Sequence, residues 1–60
     1  MKYMVYWVAG KRDGEILGEF ESEREAIAFA SSFYAIHEEE FDSCFGGVGI
    51  EDENGKEVEW

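Results

Sequence analysis

The single histidine and the single cysteine of this 60-residue chain, His37 and Cys44, are the residues best suited to catalysis or metal binding. A histidine base beside a thiol can activate a nucleophile, and the carboxylates that follow His37 could add metal ligands. However, these carboxylates disfavour a thiolate at Cys44, and no second histidine completes an HExxH zinc motif. The sequence therefore predicts no enzyme, no metal site and no cofactor, with His37 on the apolar face of a helix and Cys44 as a small buried hydrophobe.

Two further segments resemble ligand-binding loops but do not have their spacing. The segment 46–49 (GGVG) lacks the lysine and the glycine spacing of a phosphate-binding loop, and the segment 52–55 (DENG) lacks the ordered positions of an EF-hand calcium loop. Glycines within a strand allow another group to approach closely, so we interpret the first segment as space for Phe33, Trp60 or a partner. The second segment is typical of a hairpin turn.

Acidic residues dominate the surface chemistry of this chain. Its 15 acids and 5 bases give a formal net charge of −10, which excludes direct binding to DNA or RNA because phosphate binding depends on lysine and arginine. The expected partner is instead a protein with a basic surface. We expect the acidic binding surface to consist of nine residues in two segments, namely Glu38, Glu39, Glu40, Asp42, Glu51, Asp52, Glu53, Glu57 and Glu59.

The apolar pattern, the turns and the helix cap predict the order ββαββ in a single α+β domain over residues 1–60. Runs of β-branched and aromatic residues indicate the strands. These strands are predicted at residues 2–9, 15–20, 43–52 and 56–60. Ser22 and Glu25 form a capping box at the start of a helix that covers about residues 23–38.

These elements predict a four-stranded, mainly antiparallel sheet with one helix packed across one face. A right-handed crossover could place the first and last strands side by side in parallel, as in the β-grasp arrangement. The order and the length are similar to those of small β-grasp immunoglobulin-binding domains. This similarity is one of element order.

The register of the second hairpin follows from its turn. A three-residue loop with Gly55 in the left-handed conformation places Ile50 opposite Val58 and keeps one face of the hairpin apolar. The same register places Glu51 opposite Glu57. Because like charges that face each other destabilise a sheet, this pair favours a cationic partner.

The first hairpin has apolar residues on both faces, with Gly14 left-handed in a bulged turn and Tyr6 opposite Phe20. One helix covers only one face, so we expect an apolar interface on the other. This interface is predicted to consist of Tyr3, Val5, Trp7 and Leu17. If the register shifts, the exposed set is instead Met4, Tyr6, Val8, Ile16 and Phe20. Alternatively, Phe41 and Phe45 fold back over the open face.

The helix has an apolar stripe that is expected to face the sheet. The stripe consists of Ala26, Ile27, Phe29, Ala30, Phe33, Tyr34, Ile36 and His37. The acids Glu38–Glu40 end the predicted helix, where the macrodipole favours cations. Either the helix ends before them or these acids serve a partner.

Two functional hypotheses follow, and both place the chain in the cytoplasm, with no membrane segment. The first is a non-enzymatic acidic protein that docks on a basic protein surface, for example as a mimic of nucleic-acid charge or an inhibitor. In composition the chain resembles small acidic proteins of mobile elements that block host nucleases. The alternative is a structural or assembly module that forms homo-oligomers or joins a larger complex through the apolar interface.

Overall fold

The fold is α+β, as predicted. The computed structural model describes residues 1–44 and 46–60, and of Cys44 it describes the backbone only. Within these residues the strands are β1 (Tyr3–Val8), β2 (Ile16–Phe20) and β3 (Gly47–Asp52), and the helices are α1 (Glu23–Ile36) and α2 (Glu38–Cys44). A short 3-10 turn, Gly10–Arg12, lies between β1 and β2.

The sheet is antiparallel throughout, with the strand order β2-β1-β3. The β-grasp order that the sequence allowed is not observed, because β1 lies between β2 and β3 and runs antiparallel to both. Val8 pairs with Gly47 and Tyr3 pairs with Asp52, so β3 starts beside the end of β1. The α1 helix carries the chain back along the sheet to this end, which makes the free edge of β1 available to β3.

The segment 56–60 does not form the predicted fourth strand. Its one β-bridge joins Glu51 to Glu57, flanked by hydrogen bonds from Asp52 N to Lys56 O at 2.9 Å and from Val58 N to Ile50 O at 2.8 Å. This is the predicted register, and it is confirmed. The bridge forms although like charges lie directly opposite each other in it, which costs stability.

Side chains complete the edge of β3 where backbone pairing ends. The indole nitrogen of Trp60 donates a hydrogen bond to the carbonyl oxygen of Val48 at 3.2 Å, in the place of a strand amide. At the turn, Gly55 has a φ of 78°, which is the predicted left-handed conformation. The C-terminal segment is therefore held to the sheet by a few specific bonds rather than by a continuous ladder.

The first hairpin has a different register from the predicted one. Tyr6 lies opposite Ile16, and Phe20 lies opposite Tyr3, with an irregularity between Val5 and Tyr6. The backbone hydrogen bonds between the two strands end at Trp7. Its amide donates to Glu15 O at 2.9 Å, and its carbonyl oxygen accepts from Gly14 N at 2.7 Å. The long connection between them contains the 3-10 turn, and a bulged turn of three residues cannot describe it.

The α1 helix begins at its predicted cap, with Glu25 N donating to Ser22 Oγ at 3.5 Å. It ends at Ile36, and the next residue caps it through a bond from His37 N to Phe33 O at 3.1 Å. Ile36 is 77 % exposed, so it does not belong to the stripe that faces the sheet. The other stripe residues are buried or half-buried.

Helix α2 changes the interpretation of the acids that follow α1. Glu38–Glu40 form the first turn of α2 rather than the last turn of α1. The positive end of the helix macrodipole lies in this first turn, where acidic side chains are stabilising. Their position therefore needs no cationic partner to explain it.

The core lies between α1, α2 and one face of the sheet. Its buried members are Val5, Trp7, Ala26, Ala30, Phe41, Val48 and Ile50. Alanines on α1 allow the helix to approach the sheet closely, and aromatic rings fill the space at the end where α2 packs. Phe41 of α2 is 1 % exposed and lies against Trp7, with ring centroids 4.4 Å apart.

One residue of the β1–β2 connection has a backbone conformation that is normal only for glycine. Ala9 has φ 76° and ψ 164°, and its amide donates to Asp13 Oδ1 at 2.6 Å. Such a conformation costs an L-residue about 1–3 kcal/mol, because its Cβ crowds the neighbouring backbone. The bond to Asp13 and the pairing of Trp7 on both sides hold the residue there.

We predict that Ala9→Gly raises the free energy of unfolding by about 1 kcal/mol, since it removes this crowding. Urea denaturation followed by tryptophan fluorescence measures the change. The matched control is Ala28→Gly on the exposed face of α1, which should lower stability by about 1 kcal/mol. If Ala9→Gly destabilises the protein as the control does, Ala9 is not strained.

Candidate binding surface

The residues predicted as an apolar interface lie on the covered face of the sheet. Val5 is fully buried and Trp7 is 2 % exposed, while Tyr3 and Leu17 are half-buried against the same core. The prediction that these four residues form an open interface is therefore wrong. Phe41 does lie against Trp7, as the alternative expected, but it does so from helix α2 on the face that α1 also covers. Phe45 lies outside the described residues.

The opposite face of the sheet, here called the uncovered face, carries the alternative set in large part. Met4, Tyr6, Val8 and Ile16 point to this side, because alternate residues of a strand point to opposite faces. Val8 is 37 % exposed and Ile16 is 52 % exposed. Phe20 does not belong to this set, since its ring packs against Phe29 of α1 with centroids 5.1 Å apart.

Carboxylates form a row across the uncovered face. Met4 lies opposite Glu19 on β2 and opposite Glu51 on β3, and Glu51 in turn lies opposite Glu57. Adjacent strands are about 4.8 Å apart, so this acid row of Glu19, Glu51 and Glu57 spans three strand spacings. Among the described residues, no ion pair links these acids to a base.

Tyr6 occupies the next row, between Ile16 and Gly49. Its ring leans over Gly49 so closely that a Cβ there would lie 2.6 Å from the phenol oxygen and overlap the ring. Partial burial raises the pKa of the Tyr6 phenol, and the charges of Glu51, Glu57 and Asp13 raise it further. The uncovered face thus combines an aromatic ring with a negative potential.

The ring over Gly49 accounts for one of the glycines in the segment 46–49. The sequence predicted a close approach at this segment, but it named Phe33, Trp60 or a partner as the group that needs the space. A Cβ at Gly47 would meet nothing within 4 Å, so of these two strand glycines only Gly49 is required by its neighbours. The pairing of Tyr6 with Gly49 could be found only from the register of β1 against β3.

The predicted acids of α2 do not join the acid row. The α2 acids Glu38–Glu40 and Asp42 precede the first residue of β3, whereas the turn with Glu53 follows its last residue. A six-residue strand separates these two ends by roughly 17 Å. Glu59 is exposed near the C-terminus. The structure therefore divides the predicted acidic surface between two ends of the molecule.

Asp52 has a structural role and is not part of the binding surface. It is 8 % exposed, and its Oδ1 accepts hydrogen bonds from Asn54 N at 2.9 Å and Lys56 N at 3.0 Å. These bonds satisfy backbone donors of the hairpin turn, as aspartate side chains commonly do. The prediction that Asp52 lies on the acidic surface is wrong.

His37 is a packing residue at the junction of the two helices. Its ring stacks on Phe33 with centroids 4.1 Å apart and meets Trp7 edge-on at 6.1 Å. Its Nδ1 lies 3.1 Å from the carbonyl oxygen of Phe33, so this nitrogen carries the proton and donates. No group of three potential metal ligands occurs in residues 1–44 and 46–60, and the side chain of Cys44 lies outside what the structure describes.

Arg12 covers the outer side of the core in a way that the sequence did not predict. Its guanidinium carbon lies 4.2 Å from the centroid of the Trp7 ring, and it pairs with Glu15 at 2.6 Å. An open cleft of about 200 Å³ lies beside it, between the 3-10 turn and α2. The spacing of Arg12 and Glu15 is the only signal in the sequence that could have suggested the ion pair.

Comparisons of this chain with protein-family models, curated proteins and solved structures gave no match. None of the helices in the described part of the chain has the length and apolar character needed to cross a membrane. The uncovered face, with its acid row and its apolar centre, is the candidate binding surface.

We predict that Gly49→Ala lowers the free energy of unfolding by about 1–3 kcal/mol, because the new methyl group displaces the Tyr6 ring. Gly47→Ala is the control and should have a much smaller effect, since its Cβ would enter open space. Chemical denaturation of both variants measures the difference. Equal effects of the two substitutions would show that Tyr6 does not lie over Gly49.

Proposed function

We propose that this chain is a non-enzymatic binding protein that docks its uncovered sheet face on a basic protein surface. The observation that carries the proposal is the pairing of Glu51 with Glu57 on a face that no described element covers. Two carboxylates placed directly opposite each other destabilise the isolated sheet. A cationic partner would convert this cost into a favourable interaction.

The net charge of −10 supports a basic partner through long-range attraction as well as through contact. The ion pair between Arg12 and Glu15 lies in the β1–β2 connection, away from the acid row. The acid row therefore keeps its negative potential in the free protein. Such a potential accelerates association with a positive surface and opposes association with nucleic acid.

A specific form of the proposal is that the chain mimics nucleic-acid charge and thereby inhibits a nucleic-acid-binding protein. Duplex DNA carries one negative charge per about 1.7 Å of its axis, and its binding proteins present clefts rich in lysine and arginine. The acid row and the separate acids of α2 give this small protein negative charge on more than one side. We place this activity in the cytoplasm, where an unpaired cysteine remains reduced.

A structural or assembly module is the second candidate, and the exposed side chains of Val8 and Ile16 favour it. The residues first expected to carry assembly, such as Val5 and Trp7, are buried in the core. An assembly role would therefore have to use the uncovered face. Two copies would each bring a net charge of −10 and an acid row to the interface, which disfavours a symmetric homodimer.

The proposed function predicts a partner whose affinity falls steeply with salt. The tagged chain is used to capture basic proteins from a lysate at low salt, and each captured protein is then purified and its Kd is measured at about 50 mM and about 500 mM salt. We expect a nucleic-acid-binding protein whose Kd rises at least about tenfold over this range and which nucleic acid displaces.

An unrelated small protein of similar net charge serves as the control bait, because it retains proteins that bind any polyanion. A partner of this chain that is also held by the control bait would contradict the proposal. So would purified partners whose affinity does not depend on salt. Light scattering that shows a dimer of the free chain would favour the assembly module instead.

A further inference from the structure

We infer that the uncovered face takes an arginine-bearing surface of the partner, with a guanidinium group against the Tyr6 ring and beside the carboxylates of Glu51 and Glu57. This inference rests on the proposed function and adds to it the face and the residue type that the partner presents. Its occupant is a protein surface with arginine next to apolar side chains, since the uncovered face has both acidic and apolar parts.

The first step of the argument is the arrangement around Tyr6. Gly49 lets the ring lie down on β3, towards the strand that carries Glu51. Glu51 and Glu57 are close enough to act on the phenol electrostatically. Exposed Ile16 lies opposite Tyr6 on β2, and exposed Val8 lies on β1 on the side of Tyr6 away from the acid row. A cation that enters here meets an aromatic surface and paired carboxylates together.

The second step is the choice of arginine over lysine. A guanidinium group is planar, stacks on aromatic rings and donates in a fork that matches carboxylate oxygens. An ammonium group is a strongly hydrated point charge and gains less from an aromatic ring when it must lose water. A flat ring with two carboxylates beside it therefore selects for arginine.

The chain itself contains one example of this combination. Arg12 lies over the ring of Trp7 at 4.2 Å and bonds to Glu15 through Nε at 2.7 Å and through a terminal nitrogen at 2.6 Å. The same three kinds of group, namely a ring, a guanidinium and a carboxylate, associate there within one chain. On the uncovered face the ring and the carboxylates are present, and the described part of the chain supplies no guanidinium to them.

Charge also argues against a second copy of the chain on the uncovered face and against the α2 acids as the partner's site. A second copy would add a further net charge of −10, with its own Glu19, Glu51 and Glu57, at this face and would be repelled. The α2 acids are a weaker site for the partner, because Glu38–Glu40 already interact favourably with the macrodipole of their own helix. At the uncovered face a cation would relieve the like-charge contact between Glu51 and Glu57.

The test uses hexa-arginine and hexa-lysine peptides as probes, titrated into the isotope-labelled chain at low salt and followed by NMR. We expect hexa-arginine to shift the resonances of Tyr6, Gly49, Glu51 and Glu57 more than those of α2. Its Kd should be about two- to fivefold lower than that of hexa-lysine, as the cation–π contribution predicts. In Tyr6→Leu, which keeps an apolar side chain, this preference should disappear.

Two variants with equal charge separate the face from the net charge. Glu51→Gln/Glu57→Gln and Glu38→Gln/Glu39→Gln each remove two negative charges, and all four residues lie outside the core. The first should raise the Kd for hexa-arginine at least about threefold, and the second should raise it less than half as much. Equal effects, or shifts centred on α2, would overturn the inference.

The outcomes also separate this inference from the proposed function. If the wild-type chain binds a basic partner in a salt-dependent way and Glu51→Gln/Glu57→Gln binds it equally well, the function stands and the uncovered face is not the site. If hexa-arginine and hexa-lysine bind this face equally tightly, the choice of arginine is wrong. If no basic protein is captured while hexa-arginine still binds at Tyr6, the proposed function fails and the chemistry of the face stands.

Discussion

The packing of Trp7 is the interaction on which the rest of this structure depends. The indole lies on the central strand, meets Phe33 of α1 edge-on at 5.7 Å and contacts Phe41 of α2 at 4.4 Å. Arg12 of the β1–β2 connection covers it from outside. One side chain thereby joins the sheet, both helices and the first connection. In a chain of 60 residues, whose core is small, such a large buried ring contributes much of the available stability.

The burial of Trp7 also determines which surface is free to bind. Successive side chains of β1 alternate between faces, so Tyr6 must point outward when Trp7 points inward. Both helices pack on the face of the sheet that carries Trp7. Among the described elements, none packs on the opposite face. Because Trp7 is buried under the helices, Tyr6 and the acid row lie on the exposed face of the sheet.

The sequence predicted features that depend on nearby residues. The Ser22 cap, the left-handed Gly55 and the pairing of Glu51 with Glu57 each follow from a turn or cap of a few residues, and all three are correct. The choice of sheet face was not predictable in this way, because β1 carries large apolar residues on both sides. It depends on Phe41, which reaches Trp7 only because a second helix starts at Glu38. Of the two alternatives for Glu38–Glu40, a helix that ends before them is correct, but the start of α2 at these acids was not predicted.

The most direct test of this account compares two valines of β1 that the structure places on opposite faces. Val5 is fully buried, and Val8 is 37 % exposed. Methyl NMR with a soluble paramagnetic agent measures how close water comes to each side chain. The account predicts strong broadening of the Val8 and Met4 methyl signals and none at Val5. Broadening at Val5 with protection of Val8 would show that the helices cover the other face, and the proposed binding surface would then be part of the core.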